Sequence, residues 1–262
     1  MQFTVLGARG SIPISRPEFR NYGCATSCYH VEACGEHLFL DAGNGLVHAP
    51  LCTNKHAHIL LTHPHLDHLV GLPFFPGMMD PQMLIEIYGS TRDGQTVRDY
   101  VDRLYSPPYW PCRVDAYPSE VRFHELEEEL WIGDIRVIKA ASCHPGGSDL
   151  LRVEAEGKSI VYATDFEPSE GAGERLTEFS KDADLLLYDG QYTEVEFEAR
   201  KGFGHSTPML ALKTMQSSGA KRVMVVHHDP RHEDEFLARW EGELQQLDPR
   251  ICFAREGMKL NL

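Results

Sequence analysis

Four side chains able to bind a metal ion lie close together between residues 63 and 68. His63, His65, Asp67 and His68 directly follow the apolar run 59–62, which is typical of a buried strand. Histidines two positions apart can reach one ion from a turn while Asp67 and His68 reach a neighbouring ion, and imidazole with carboxylate suits zinc, manganese, iron or nickel. A lone histidine in a polar loop is more often solvated. Four such groups beside a buried strand favour a metal site.

Three further apolar runs end in residues of the same chemical types. They are His144 after residues 135–141, Asp165 after 160–163, and the pair His227 and His228 after 223–226. Four strand ends that carry ligand-type residues predict one site. Adjacent residues of a strand point to opposite faces, so we expect only one of His227 and His228 to be a ligand.

The elements that must position these residues indicate a mixed α/β chain. Strands are predicted over ten apolar runs, at residues 3–6, 28–31, 37–40, 59–62, 85–88, 135–140, 150–153, 160–163, 185–188 and 223–226. Helical patterns cover residues 95–105, 208–218 and 233–246. Residues 35–41 and 157–165 each read as a turn, a strand and an acidic residue. This weak similarity between the two segments suggests two similar halves with a site at their shared edge.

Two segments have clear local signals. The helix from Pro208 has Ser206 or Thr207 at its N-cap, proline in its first turn and Gly219 after its end. Residues 106–118 contain too many prolines for a helix or a central strand, and we expect a surface loop or lid there.

The composition is that of a globular protein. A chain of 262 residues can bury a large core, and we expect one domain over residues 1–262. No apolar stretch approaches the roughly 20 residues that span a bilayer, so no membrane segment is expected. The N-terminus opens into a strand pattern without a signal peptide, which predicts a cytoplasmic protein. Seven cysteines without a repeating framework indicate reduced thiols.

The net charge of -14 bears on the substrate. Long nucleic acids bind through phosphate neutralisation by Lys and Arg, so most of this surface would repel them. A small substrate is therefore favoured. Bound divalent cations would reverse the charge locally, and so the acidity argues less against small anions.

The order of these residues resembles the metal motifs of the metallo-β-lactamase superfamily. The resemblance rests on His63-Pro64-His65-Leu66-Asp67-His68, His144, Asp165 and His227. It implies an α/β fold, a four-layer αββα sandwich, with two divalent metal ions. Zinc or manganese is expected, with iron or nickel as alternatives. In that family pattern one ion is bound by His63, His65 and His144, the other by Asp67, His68 and His227, and Asp165 bridges them. His227 is preferred because its distance from the apolar run matches the family, and His228 is the alternative.

A second set of motifs resembles ribonuclease Z and related phosphodiesterases, including cyclic-nucleotide-degrading enzymes. It consists of Gly204-His205-Ser206-Thr207-Pro208 with the following helix, Arg9-Gly10-Ser11-Ile12-Pro13, and Asp41-Ala42-Gly43-Asn44-Gly45. The resemblance implies that His205 lies beside the leaving group, and relatives suggest a homodimer. The chain departs from the pattern at Cys24 and Ala25, where the family usually has Gly and Asn. His144 and Asp165 are only 21 residues apart, which leaves room for one hairpin and not for the tRNA-gripping arm of ribonuclease Z.

These observations favour a two-metal phosphodiesterase that acts on a small, cyclic-nucleotide-like diester. We expect in-line attack of an activated water on phosphorus, with Asp67 orienting or deprotonating the nucleophile and His205 donating a proton to the leaving group. The alternatives are a thioester, lactone or β-lactam hydrolase, because the same ions polarise a carbonyl, and a non-catalytic metal or nucleotide sensor. A sensor would tolerate missing ligands, whereas this chain keeps every one.

Overall fold

Two seven-stranded β-sheets form the framework of the chain, and the computed structural model describes residues 1–169 and 171–262. In chain order the strands are β1 (Gln2–Gly7), β2 (Cys28–Ala33), β3 (Glu36–Leu40), β4 (His56–Leu61), β5 (Leu84–Gly89), β6 (Glu120–Glu125), β7 (Glu129–Ile132), β8 (Ile135–Ser142), β9 (Ser148–Ala155), β10 (Lys158–Ala163), β11 (Leu185–Asp189), β12 (Val223–Val226), β13 (Ile251–Phe253) and β14 (Lys259–Asn261). The first sheet has the order β14-β1-β2-β3-β4-β5-β6, and the second has the order β13-β12-β11-β10-β9-β8-β7.

Within the described residues, five α-helices accompany the sheets: α1 (Val97–Leu104), α2 (Ala172–Phe179), α3 (Glu194–Ala199), α4 (Pro208–Ser218) and α5 (Asp234–Leu247). Helix α4 has the predicted bounds. The Thr207 side chain accepts a hydrogen bond from the backbone N–H of Leu210, and Gly219 ends the helix with φ 76°. Helix α1 begins two residues later than predicted, because Thr96 and Asp99 form a capping box at its start.

Apolar side chains divide into three clusters that define four layers. The cluster between the sheets draws on both of them, for example Phe3 of β1 and Leu187 of β11. A second cluster lies between the outer face of the first sheet and α1, and a third lies between the second sheet and helices α2, α4 and α5. This is the expected αββα sandwich.

The weak sequence similarity between residues 35–41 and 157–165 has a structural counterpart. Strand β3 pairs antiparallel with β2 and parallel with β4, and β10 pairs antiparallel with β9 and parallel with β11. Each is therefore the strand at which its sheet changes from antiparallel to parallel. Asp41 follows β3 with φ 60°, and Asp165 follows β10 with φ 49°, so the chain turns sharply after both strands.

All ten predicted strands are present, and four others were missed. The missed strands β6, β7, β13 and β14 are the edge strands of the two sheets, and their exposed, polar or very short sequences lack a clear apolar run. Helices α2 and α3 were also missed. Residues 106–118 form a surface loop as expected, with one short 3-10 turn at Val114–Ala116, and its role as a lid stays a prediction. All seven cysteines are free thiols. In the part of the chain that is described, every helix is too short or too polar to span a bilayer.

Candidate metal centre

The seven predicted ligands come together at one edge of the sandwich, each just past the end of a strand. Residues 63–68 follow β4, His144 follows β8, Asp165 follows β10, and His227 follows β12. The chain after His65 forms a 3-10 turn, Leu66–His68, which directs Asp67 and His68 into the protein. Both of these side chains are buried.

The carboxylate of Asp165 faces two different sets of imidazoles with its two oxygens. Oδ1 lies 3.6 Å from His63 Nε2 and 3.7 Å from His144 Nε2. Oδ2 lies 3.1 Å from His68 Nε2 and 3.4 Å from His227 Nε2. Asp165 is buried between the two sets, in the position that a bridging carboxylate would occupy.

The remaining two groups each join one of these sets. His65 Nδ1 lies 3.2 Å from His144 Nε2. Asp67 Oδ2 lies 3.3 Å from His68 Nε2 and 3.2 Å from His227 Nε2. The potential ligand atoms thus form two groups, one of His63, His65, His144 and Asp165, and one of Asp67, His68 and His227. The family resemblance implies the same division.

The donor atoms fit divalent metal ions. Nε2 of His63 and Nε2 of His68 are buried and have no hydrogen-bond partner among the described residues, although buried polar atoms are normally paired. Ligand atoms about 2.0 Å from one tetrahedral ion lie roughly 3.3 Å from one another, which is close to the separations within each group. Histidine and aspartate are ligands of zinc and manganese.

Four of the imidazoles are held from behind through Nδ1, which leaves Nε2 facing inward. The partners are Thr62 Oγ1 for His63 at 3.0 Å, Asp41 Oδ2 for His68 at 2.8 Å, the Gly204 carbonyl for His144 at 3.0 Å, and Gln191 Oε1 for His227 at 3.0 Å. Such outer contacts orient the ring and fix which nitrogen can bind a metal.

Asp41 connects both ligand sets to both sheets. Besides His68 Nδ1, its carboxylate accepts hydrogen bonds from the Thr62 backbone N–H at 2.8 Å and the Tyr162 hydroxyl at 2.8 Å. Thr62 in turn contacts His63, and Tyr162 belongs to β10 of the second sheet. The sequence indicated Asp41 through its similarity in position to Asp165 and through the motif Asp41-Ala42-Gly43-Asn44-Gly45, but its role as an acceptor for a histidine of the site was missed.

Opposite charges are concentrated in this buried site. Burial opposes protonation of His68, but Asp67 and Asp165 outweigh it and hold its pKa well above the ordinary value. Burial is likewise outweighed at His227, where Asp165 and Asp67 raise the pKa to about 9. Burial would raise the pKa of Asp165, yet His227 and His68 hold that pKa well below its usual range. The site therefore keeps its carboxylates ionised and favours positive charge between them.

His205 lies beside the ligand sets and is paired with Asp189. Its ring stacks on that of His227 with centroids 4.9 Å apart, and its Nδ1 is 2.9 Å from Asp189 Oδ2. Asp189 also accepts hydrogen bonds from three backbone N–H groups, those of Asp165, Gln191 and Ser206. Nδ1 of His205 is consequently the donor, and Nε2 is left for other partners. Sequence reasoning missed Asp189, although it ends the apolar strand β11 as Asp165 follows β10.

His227 and His228 point in opposite directions, although both follow the end of β12 and His227 has φ 61°. His227 Nε2 faces Asp67 and Asp165, whereas His228 Nε2 lies 2.9 Å from the backbone carbonyl of Ala254. The His228 ring stacks on Phe253 with centroids 5.6 Å apart, on the far side of the strand. His227 is therefore the histidine that faces the site.

The loop after β1 supports the centre from the side. The backbone N–H of Ser11 donates to Asp67 Oδ2 at 2.7 Å. A Cβ at Gly10 would lie 2.4 Å from the His227 ring, so only glycine permits this approach. Arg9 is fully buried and donates to backbone carbonyls of Gly23 and His232 at 2.7 Å each. These local contacts thus explain the residue types found at Arg9, Gly10 and Ser11.

Known proteins share both the sequence pattern and the fold. Residues 37–228 match the family described as the beta-lactamase superfamily domain. A curated relative, ribonuclease BN of Cronobacter sakazakii, is 25% identical over 312 aligned positions that cover 100% of both chains. The metallo-β-lactamase fold protein YhfI from Bacillus subtilis superimposes with a TM-score of 0.74 at 18% identity, over 99% of this chain and 98% of that one. A diphosphatase from the PhnP family superimposes with a TM-score of 0.71 at 19% identity, over 100% and 97% of the two chains.

Proposed function

Because this chain belongs to the β-lactamase superfamily and is a metal-dependent hydrolase, we propose that it is a two-metal phosphodiesterase that acts on a small, cyclic-nucleotide-like diester. The observation that carries the proposal is the arrangement around Asp165, whose two oxygens face separate sets of inward-pointing imidazoles. Two divalent cations bound at adjacent sites of this kind would neutralise the negative charge of a phosphodiester.

Each ion has its own protein ligands in this proposal. One ion, zinc or manganese, would be held by His63, His65 and His144, the other by Asp67, His68 and His227, and Asp165 would be shared. Bound there, the ions would activate a water molecule and neutralise the non-bridging oxygens of the phosphodiester.

Asp67 orients the nucleophile in this scheme. Its Oδ2 is fixed by the Ser11 N–H at 2.7 Å and lies between His68 and His227. A carboxylate fixed in this way can accept a proton from the attacking water or hold that water in line with the scissile bond.

His205 acts on the leaving group. Asp189 holds Nδ1 at 2.9 Å, which leaves Nε2 as the nitrogen that acts on the departing oxygen. His205 and Asp189 also lie close to Asp165 and His227, so the proton donor adjoins the metal ligands. Protonation of the departing oxygen matters most when that oxygen is strongly basic, as in a ribose alkoxide.

Three features support a small substrate. The net charge is -14, and the interval between His144 and Asp165 holds only a hairpin in which Ala155 pairs with Lys158. Exposed apolar side chains adjoin residues of the centre: Ile12 follows Ser11, Leu66 precedes Asp67, and Phe203 precedes Gly204. These side chains could cover a nucleobase. Tyr192 is buried and packs edge-on against His205 instead.

RNA is the second candidate substrate, because the relative from Cronobacter sakazakii is a ribonuclease that aligns over its full length. That alignment runs over 312 positions whereas this chain has 262 residues, so the relative contains segments that this chain lacks. The small-diester proposal assigns RNA binding to such additional segments.

The test compares the two substrates with the same metal-loaded protein. Purified protein reloaded with zinc or manganese is incubated with a set of cyclic nucleotides and with a structured precursor RNA. We expect hydrolysis of at least one cyclic nucleotide at a kcat/KM well above that for the RNA. Efficient cleavage of the RNA with no turnover of any cyclic nucleotide would contradict the proposed substrate class and favour the ribonuclease alternative.

A further inference from the structure

A second group of histidine and glutamate side chains lies at the opposite end of β4 from the metal centre. His56 and His58 are the first and third residues of β4, whereas His63 follows its end. Because a strand rises about 3.3 Å per residue, the backbones of His58 and His63 are on the order of 15 Å apart. This second group is therefore separate from the ligands assigned above.

Neighbouring strands add three more side chains on the same face of the sheet: Glu36 from β3, Glu86 from β5 and His124 from β6. In the parallel pairing of β4 with β5, His58 lies directly beside Glu86. Four strands thus present imidazoles and carboxylates at one place, although these residues are far apart in sequence.

The ligand-type atoms of this group lie at close separations without hydrogen bonds to one another. The Tyr88 hydroxyl donates to Glu86 Oε2 at 2.8 Å and lies 3.4 Å from His58 Nδ1, and Asn54 Nδ2 donates to Glu36 Oε2 at 3.3 Å. Glu86 Oε2 is 3.4 Å from His56 Nε2 and 3.4 Å from His58 Nδ1. His58 Nε2 is 3.6 Å from Glu36 Oε2, and His124 Nε2 is 3.7 Å from Glu86 Oε1. Donor atoms of Glu36, His56 and His58 all lie within 4.8 Å of one another.

Nε2 of each of the three histidines is buried and lacks a hydrogen-bond partner within the described residues. His58 as a whole is only 3% exposed. An unpaired buried imidazole nitrogen costs free energy unless another partner takes its place. The same signature marks His63 and His68 in the metal centre.

The charges in this group also suit a cation. Burial, with His56 nearby, lowers the pKa of His58 to about 4, so this imidazole is neutral and keeps a free electron pair. Burial opposes ionisation of Glu86, but the Tyr88 hydroxyl and His58 hold its pKa below the ordinary value. Arg122 approaches Glu86 at 3.7 Å, yet its side chain is half exposed and pairs with Glu120 at 2.6 Å.

We propose that Glu36, His56 and His58 form a third metal site, which binds one zinc-like divalent ion and fastens β3 and β4 together. Two imidazoles and one carboxylate are a donor set for zinc, a water molecule would complete four-coordination, and the neighbouring Glu86 adds a second negative charge. The separation of 3.6 Å between His58 Nε2 and Glu36 Oε2 is close to the roughly 3.3 Å expected between two ligand atoms of a tetrahedral ion. His124 lies beside Glu86 as an outer contact. The site is structural and takes no part in hydrolysis.

The test counts zinc ions per chain. Protein stripped with a chelator is reloaded with Zn²⁺, freed of excess ion by gel filtration, and analysed for zinc and protein. We expect three zinc ions in the unaltered chain and one fewer in the double variant His56→Gln, His58→Gln. His48→Gln, which changes an exposed histidine outside both groups of ligands, is the matched control and should keep all three.

A second pair of measurements guards against misfolding and separates this site from the centre. Glu36→Gln is a milder change at a half-buried residue, and it should weaken binding of one zinc ion at least tenfold while hydrolysis stays unchanged. His63→Ala with His68→Ala should abolish hydrolysis but leave the third site able to bind one zinc ion. Equal zinc content in the folded double variant and the unaltered chain would overturn the third site. A count of two that falls to one in the double variant would keep the third site and contradict the two-metal centre.

Discussion

His205 Nδ1 donates a hydrogen bond to Asp189 Oδ2 at 2.9 Å, and the Asp189 carboxylate is fully buried. This contact fixes the tautomer of His205 and leaves Nε2 available for another partner. Because three backbone N–H groups also hold Asp189, the pair is rigid. The role proposed for this pair is to donate a proton to the leaving group.

Replacing His205 separates proton donation from metal binding. In His205→Ala we expect unchanged metal content and a fall in kcat of about 10² to 10⁴ for a substrate with an alkoxide leaving group. The fall should be much smaller for a nitrophenolate leaving group, which departs without a proton. Steady-state kinetics on both substrates and metal analysis check this. If the variant loses both metal ions, His205 is a ligand and not the proton donor.

Replacing Asp41 tests the contact behind His68. Asp41→Asn keeps the size of the side chain but removes the charge that holds His68 Nδ1 at 2.8 Å. Loss of such an outer partner typically lowers metal affinity about 10- to 100-fold. We expect a fall of this size, measured by competition with a chromogenic chelator. Asp149→Asn is the control, because it changes a buried carboxylate that lies outside the centre and accepts a hydrogen bond from the Ser90 hydroxyl. The same loss in both variants would mean that the effect is not specific to His68.

The stability of the fold should depend on pH through His30. Burial, with His37 nearby, lowers the pKa of His30 to about 3. In the unfolded chain this histidine titrates near 6.5. The contribution of neutral His30 to the free energy of unfolding is thus complete above pH 6.5. It is lost as the pH falls from 6.5 towards 3, because in this range the unfolded chain binds a proton at His30 and the folded chain does not.

The variant His30→Phe removes this titration. Between pH 7 and pH 5 it should lose about 2 kcal/mol less free energy of unfolding than the unaltered chain does. Urea denaturation at the two pH values measures the difference, and His48→Phe at an exposed position should behave like the unaltered chain. Equal losses in all three proteins would show that His30 is not held neutral by the fold.

Much of the fold and of the ligand set could be predicted from the sequence. The apolar runs indicated ten strands, and ligand-type residues at their ends indicated one site, because parallel strands such as β10, β11 and β12 end at a common edge. Strand geometry also indicated that only one of His227 and His228 faces the site. That the seven residues bind two metal ions stays a prediction.

The contacts behind the ligands could not be predicted. Asp41, Gln191 and Asp189 lie in other segments of the chain than the histidines they contact, and one sequence contains no information on how those segments meet. Asp189 ends an apolar strand, so the signal that identified Asp165 could also have identified it. The group around His56 and His58 was missed for the same reason, since it forms only when four strands are in register.

The reaction class is tested most directly by offering one metal-loaded sample different substrates. Protein reloaded with zinc or manganese is assayed on bis(p-nitrophenyl) phosphate and, in parallel, on a thioester, a lactone and a β-lactam. We expect hydrolysis of the phosphodiester, its loss on treatment with a chelator, and its recovery when the metal is restored, with carbonyl substrates turned over far more slowly. Metal-dependent hydrolysis of carbonyl substrates with no turnover of the phosphodiester would contradict the phosphodiesterase assignment.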